Sequence, residues 1–226
     1  MKISNELKET IKRHYYLYSL SNWILRVKTM VFGGVRVENY GNGRFKKDVI
    51  GHNNIVIIGK KTMIYKSSLR IRGDNNKIVI GENCKIRKGC SFWIQGNNSS
   101  IIIGDNVTMR SANHFHAQED GRSIIIGNDC MISNHIIVRT SDSHGIFDAE
   151  SKIRLNNPKD IIIGNHVWIA PNSMIFKGAV IDDGSVIGSN TLVTKHIPSN
   201  CLAVGMPAKV VKENIIWSRS RVLENN

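Results

Sequence analysis

The chain has 226 residues, 41% of them apolar, with 19 glycines and only four prolines, which suits one domain plus an appendage and favours strands joined by tight turns over a helical bundle. Its formal net charge of +13 draws it to anions such as acidic lipid, phosphorylated cofactors or acidic glycans, and the absence of an RNA- or DNA-binding signature sets nucleic acid aside. No uninterrupted apolar core or small-residue cleavage site marks a signal peptide, and the most apolar stretch, 15–32, is broken by Ser19, Ser21, Asn22, Arg26 and Lys28, so a cytoplasmic protein is expected.

Residues 1–47 read as an N-terminal helical cap. Ser4 or Asn5 can cap a helix whose Leu7, Ile11, Tyr15 and Tyr18 share one face. This segment carries ten Lys/Arg against three Glu, which also fits peripheral contact with a membrane surface. Residues 48–226 form the second unit, with an extended loop at about 139–160.

From residue 56 a tetrad recurs: VIIG, IVIG, then IIIG three times. Its glycines are Gly59, Gly81, Gly104, Gly127 and Gly164, separated by 22, 23, 23 and 37 residues. A fixed period of this kind signals a solenoid. Within it runs a beat of six: Ile163, Ile169, Ile175, Ile181, Ile187 and Val193, with mostly small residues (Val167, Ser173, Ala179, Ser185, Thr191) four positions after each of the first five. Cys84, Cys90 and Cys130 fall on the small position, so they read as inward apolar residues; no CxxC spacing is present and a disulfide framework is not expected. Three beats make one triangular coil, with coils stacked at about 4.8 Å. The extra residues of the upstream coils, in GDNNK, GNNSS and EDGRS, recur at one phase and mark small loops at one corner.

After Val138 the beat stops, and it restarts in phase at Ile161. The 37-residue gap is one 23-residue coil plus 14 extra residues, and it holds His144 off the beat. Long loops on rigid scaffolds tend to carry function, and imidazole is the natural general base near neutral pH. Beyond Val193 the chain leaves the beat; Gly205 and Pro207 mark a turn, and 209–217 is expected to start a short helix or a closing segment.

The six-residue beat over roughly 50–215 resembles the hexapeptide-repeat family, whose fold is a left-handed parallel β-helix. The handedness comes from the resemblance, since general chirality rules favour the opposite hand. His144 in the loop, Trp168 of NHVWIAPN 24 residues later, and the tail VTKHIPSNCLAVGMPAKVVKE are similar to hexapeptide O-acetyltransferases. The segments SDSHGIFD and ENIIW most resemble capsular polysaccharide O-acetyltransferases, including those acting on sialic-acid capsules.

The resemblance implies direct transfer from acetyl-CoA to a sugar hydroxyl, His144 acting as base, without a metal. Asp142 is the nearest carboxylate to orient His144, although a backbone carbonyl serves equally. Trp168 would line the pantetheine arm, Ser189 and Thr194 its amides, and Lys195, Lys209 and Lys212 the phosphates and adenine. Pro171 stands where related enzymes can offer a backbone N–H to the thioester carbonyl; Ala170 N–H or another group replaces it, or that contribution is absent. Asn113, His114 and His116, about one coil earlier, are the acceptor-binding candidates; for the two histidines a plain surface role is equally open, and His166 reads as structural. A homotrimer with sites between subunits is implied. Two other readings stay open: N-acetylation of a nucleotide-linked amino sugar, and a zinc carbonic-anhydrase-like enzyme using histidines such as His114, His116 and His135.

Overall fold

A computed structural model describes residues 29–32 and 35–221, and every regular element in it is a strand. The chain winds into a three-faced parallel β-solenoid, the architecture expected of a left-handed β-helix. The first face stacks Val35–Asn39, Asn54–Ile58, Lys77–Ile80, Ser100–Ile103, Ser123–Ile126, Ile161–Ile163, Val180–Ile181 and His196–Ile197. The second stacks Lys85–Ile86, Thr108–Met109, Met131–Ile132, Trp168–Ile169, Val186–Ile187 and Leu202–Val204. The third stacks Ser91–Gln95, His114–Gln118, Ile137–Arg139, Met174–Phe176 and Leu192–Val193. Near the start, Met63–Arg72 bends around a corner without a break and pairs with strands of the second and third faces, while Asn42–Ile50 lies beneath it.

The beat works because inward positions on all three faces meet in one core. Ile163, Ile169, Ile175, Ile181, Ile187 and Val193 are buried, and so are the small residues between them. Burying one such aliphatic side chain contributes roughly 1.5–3 kcal/mol. All four cysteines are buried and free, as their position on the beat requires. Phe92 and Phe115 stack inside the third face with centroids 5.3 Å apart.

The tetrad glycines sit where coils touch at a corner. A Cβ on Gly127 would lie 2.6 Å from backbone atoms of Gly164, and one on Gly104 would lie 2.4 Å from Asn128 Oδ1. Asp and Asn side chains at this corner add to the crowding. Asp105, Asn128, Asn165 and Asp183 each accept the backbone N–H of the residue one coil below, at 2.6–2.8 Å. The corner thus carries a side-chain ladder as continuous as the backbone one.

One expectation about the ends changes. The helical cap over 1–47 is not found in its described part: Thr29–Phe32, Val35–Asn39 and Asn42–Ile50 are strands, and Val35–Asn39 already pairs in parallel with Asn54–Ile58. The solenoid therefore starts before residue 48. The amphipathic segment around Leu7 to Tyr18 lies outside the described residues. At the other end Lys209–Lys212 is the expected closing segment rather than a helix: it adds an antiparallel strand to Leu202–Val204 and covers the open edge of the second face. From there the chain runs back down that face. Trp217 stacks on His166 (centroids 4.0 Å), and Arg219 reaches Asp129, Thr108 and the Cys130 carbonyl.

Candidate active site

The loop emerges at the corner between the third and first faces. Its neck closes with Lys159 N–H donating to the Thr140 carbonyl at 3.0 Å. Its far end is a short hairpin: Leu155 N–H reaches the Ile146 carbonyl at 2.8 Å, and Asp148 Oδ1 accepts from the backbones of Glu150 and Ser151. Two ion pairs fix this hairpin to the scaffold. The Arg154 guanidinium grips both oxygens of Glu119 at 2.5 and 2.8 Å, and Ser141 Oγ donates to the same carboxylate. Lys177 donates to Asp142 and, at 3.1 Å, to the Asn156 carbonyl. Hydrogen bonding from Arg154 is the main reason the Glu119 carboxyl titrates below its ordinary range. For Asp142 desolvation pushes upward, but the Lys177 and Asn156 hydrogen bonds outweigh it and the shift is downward.

His144 sits exposed in this loop, between the two anchors. No hydrogen bond joins Asp142 to the His144 ring; Lys177 and Asn156 both donate to Asp142 Oδ2. Asn156 links the two residues differently: its Nδ2 donates to Asp142 Oδ2 and to the His144 backbone carbonyl, both at 2.8 Å. The loop backbone is held there, while the imidazole has no hydrogen-bond partner among the described residues.

Trp168 lies on the outer side of the second face, stacked in register between Met131 and Val186. Its indole N–H is shielded from solvent and has no acceptor. Ala170 cannot supply the expected N–H, since that group donates to the Ile187 carbonyl at 2.8 Å in the coil above. Trp168 N–H and Asn172 N–H are likewise taken, by Ser185 and Asn134 carbonyls. Lys209 and Lys212 are exposed on the strand that closes this same face, and Ser189 is exposed at the corner between the second and third faces. Thr194 and Lys195 are exposed at the corner between the third and first faces, the corner that carries His144. In a triangular coil that corner lies opposite the second face. One chain therefore does not bring His144 and Trp168 together; they are two candidate half-sites on opposite sides of the prism.

The acceptor candidates also divide. Asn113 is wholly buried, with Nδ2 donating to the Arg110 carbonyl at 3.0 Å and Oδ1 accepting from Ile136 N–H at 2.9 Å. It is a corner asparagine like Asn54 and Asn76, enclosed in the coil and bonded at both ends of its amide. His114 and His116 alternate with buried Phe115 and face outward on the third face, ring centroids 5.8 Å apart. Burial first, then the charges of His114 and Arg139, push the His116 pKa down to about 4. His166 sits at a corner beside Trp168 rather than in its strand, clamped by Asp129 at 2.6 Å and by Trp217. No group of three or more His, Cys, Asp and Glu side chains arranged to hold a metal occurs among the described residues.

Sequence reading missed the residues that organise the loop: Glu119, Arg154, Asn156 and Lys177. Their partners lie 12 to 35 positions away. The only available signal was that Glu119 and Lys177 recur at the corner phase where the insertion departs.

A family profile described as "Bacterial transferase hexapeptide (six repeats)" matches residues 160–195. A polysialic acid O-acetyltransferase of Neisseria meningitidis is 37% identical over 179 residues, covering 76% of this chain and 78% of that protein. A polysialic acid O-acetyltransferase of Escherichia coli O1:K1 / APEC is 47% identical over 93 residues, which span 41% of this chain and only 30% of the relative. The crystal structure of the polySia-specific acetyltransferase NeuO superposes with a TM-score of 0.59 at 35% identity, covering 85% of this chain and 92% of that one.

Proposed function

The chain belongs to the hexapeptide-repeat acetyltransferases, in the family of the polysialic acid O-acetyltransferases, and from that premise we propose that it transfers an acetyl group from acetyl-CoA to a hydroxyl of an acidic, sialic-acid-type capsular glycan. The observation that carries this reading is His144: an exposed imidazole, free of partners among the described residues, on a loop whose backbone is pinned on both sides. In the proposed reaction His144 accepts the proton of the acceptor hydroxyl as that oxygen bonds to the thioester carbonyl carbon. The carbon–sulfur bond breaks, and His144 returns the proton to the leaving thiolate. No acyl-enzyme is formed, which agrees with the burial of every cysteine.

The second face suits the CoA side. Trp168 offers an indole face on its outer side, and Lys209 and Lys212 stand exposed above it for phosphate capture. Lys195 would complete the cation set from the opposite corner. Acetyl-CoA dependence puts the reaction in the cytoplasm, and the basic N-terminal segment would hold the enzyme against the inner membrane surface.

Because the half-sites lie on opposite sides of one chain, a closed ring of copies completes the site, and we assign a homotrimer. Two surfaces support it. Ile57, Val79 and Ile102 stack in one partly exposed column on the first face, which Ile125 and Ile162 continue as residues already covered within the chain. Ile146, Phe147, Ile153 and Leu155 on the loop hairpin are 58–65% exposed, an apolar tip fit to pack on a neighbour. The test is CoA release with α2,8-linked sialic acid polymer as acceptor. His144→Ala should lower turnover by about 10²–10⁴-fold, the usual contribution of a general base, with melting temperature and CoA affinity unchanged; retained turnover would remove His144 from the base role.

A further inference from the structure

The outer surface of the third face carries a second register of chemistry leading to the loop. Asp48, Arg70, Trp93, His116, Arg139 and Phe176 are successive partners in one column. Arg139 is the last strand residue before the insertion. Its Nη2 donates to Gln118 Oε1 at 3.1 Å and to Ser143 Oγ at 2.7 Å, both neutral; Ser143 directly precedes His144. Its Nε is shielded from solvent and has no acceptor. Every nearby carboxylate belongs to another cation: Glu119 to Arg154, Asp142 to Lys177, Asp160 to Arg122, and Asp48, lower in the column, to Arg70 and Arg72. Arg139 is thus a half-buried charge with no direct ion pair among the described residues; Asp142, which Lys177 holds, acts on it only through space, an arrangement that favours an added anion.

Two coils below, Trp93 supplies a half-exposed indole whose N–H also lacks an acceptor. Between them lies His116, its ring edge-on to Trp93 at 5.1 Å. At neutral pH His116 is uncharged, so it offers a hydrogen bond without competing for the anion. A guanidinium, a neutral imidazole and an indole in line match the groups of an acidic sugar: a carboxylate, polar substituents and an apolar ring face.

We propose that Arg139, with His116 and Trp93 beneath it, is the subsite that recognises the carboxylate of an acidic sugar in the acceptor chain and holds that chain beside the His144 loop. This rests on the acceptor class proposed above and adds the residues that select it. The anion supplies the charge partner that the Arg139 guanidinium lacks, and Ser143 ties the same guanidinium to the loop, so acceptor charge and base position are coupled.

The experiment titrates the full-length protein, Arg139→Gln and Arg139→Lys with α2,8-linked sialic acid oligomers and with the same oligomers carboxyl-reduced to alcohols. Binding is followed by NMR or calorimetry, and turnover in parallel. Arg139→Gln should weaken binding of charged oligomers roughly tenfold or more, the scale of a lost charge-assisted hydrogen bond. It should leave the reduced oligomers, the KM for acetyl-CoA and the melting temperature unchanged, and Arg139→Lys should recover part of the loss. Equal weakening for charged and reduced oligomers, no weakening, or no binding of charged oligomers by the wild type would each overturn the subsite. Arg139-dependent binding without acetyl transfer would support the subsite and defeat the transferase reading; transfer with an unaltered acceptor KM in Arg139→Gln would do the reverse.

Discussion

His116 shows how the scaffold sets a residue's chemistry. Its folded pKa, near 4, lies below the ordinary 6.5 because burial and then two neighbouring positive centres disfavour the imidazolium. The unfolded chain binds that proton more readily, so the effect is destabilising as pH falls from about 6.5 towards 4 and absent above that window. A histidine NMR titration should place His116 well below 6.5, and Arg139→Gln should move it upward by removing one of the opposing charges. A value at or above 6.5 would contradict the packing described here. The cysteines obey the same logic. Burial holds Cys84 at about 11 and Cys130 at about 12. In the folded protein both should resist a thiol reagent at pH 8 and react only on unfolding. Their inward position was legible from the beat, since position along a regular coil dictates direction. What Asp142, Ala170 and Asn113 do was not legible, because each is occupied by a group from elsewhere: Lys177 for Asp142, the Ile187 carbonyl for Ala170, Ile136 N–H for Asn113. A one-dimensional pattern gives the direction of a side chain without naming its partner.

At the scale of the element, the loop is a rigid arm held by charge. The Glu119 and Asp142 carboxyls titrate below their ordinary values of 4.5 and 3.8. Stabilisation from a depressed carboxyl is fully present above the ordinary value and lost as pH falls through the lowered one. The arm should therefore stay docked at pH 5 and release only in stronger acid. Protection of the Arg154 side-chain N–H groups in NMR would report this, and loss of protection already near pH 6 would exclude the charge-based anchor. Glu119→Gln removes one anchor at neutral pH. Both partners are partly solvent-screened, so the cost in global stability should be small, whereas kcat should drop several-fold because base placement within a fraction of an ångström matters. The existence and place of the arm followed from the 37-residue gap, and its restart in phase followed from Ile161. Its hairpin did not follow, because Asp148 caps it through local hydrogen bonds that any polar loop can make. The ends escaped for a related reason. The strands Val35–Asn39 and Asn42–Ile50 belong to a coil whose residues leave the IIIG pattern, and Thr29–Phe32 and Lys209–Lys212 pair antiparallel, outside the rule that generates the rest.

For the whole molecule, topology leads to a test of where the reaction occurs. His144 stands at one corner and Trp168 on the opposite face, so a site using both needs two copies. Trp168→Ala should raise the KM for acetyl-CoA, and at low acetyl-CoA it should leave little activity; His144→Ala should leave little at any concentration. Each mutant chain carries the half-site the other lacks. If the two are co-assembled in equal amounts at random, a site drawing His144 from one copy and Trp168 from the next is intact when both choices fall on unmutated positions. That is about one quarter of all sites. Activity at low acetyl-CoA should rise to about that fraction of wild type in the mixed assembly, while simple mixing of preformed, non-exchanging oligomers should give none. Sites contained within single chains would give no recovery under either condition. Light scattering on the same samples supplies the companion measurement: a mass near three chains accords with the rescue, and a monomer would leave the two half-sites with no means of meeting.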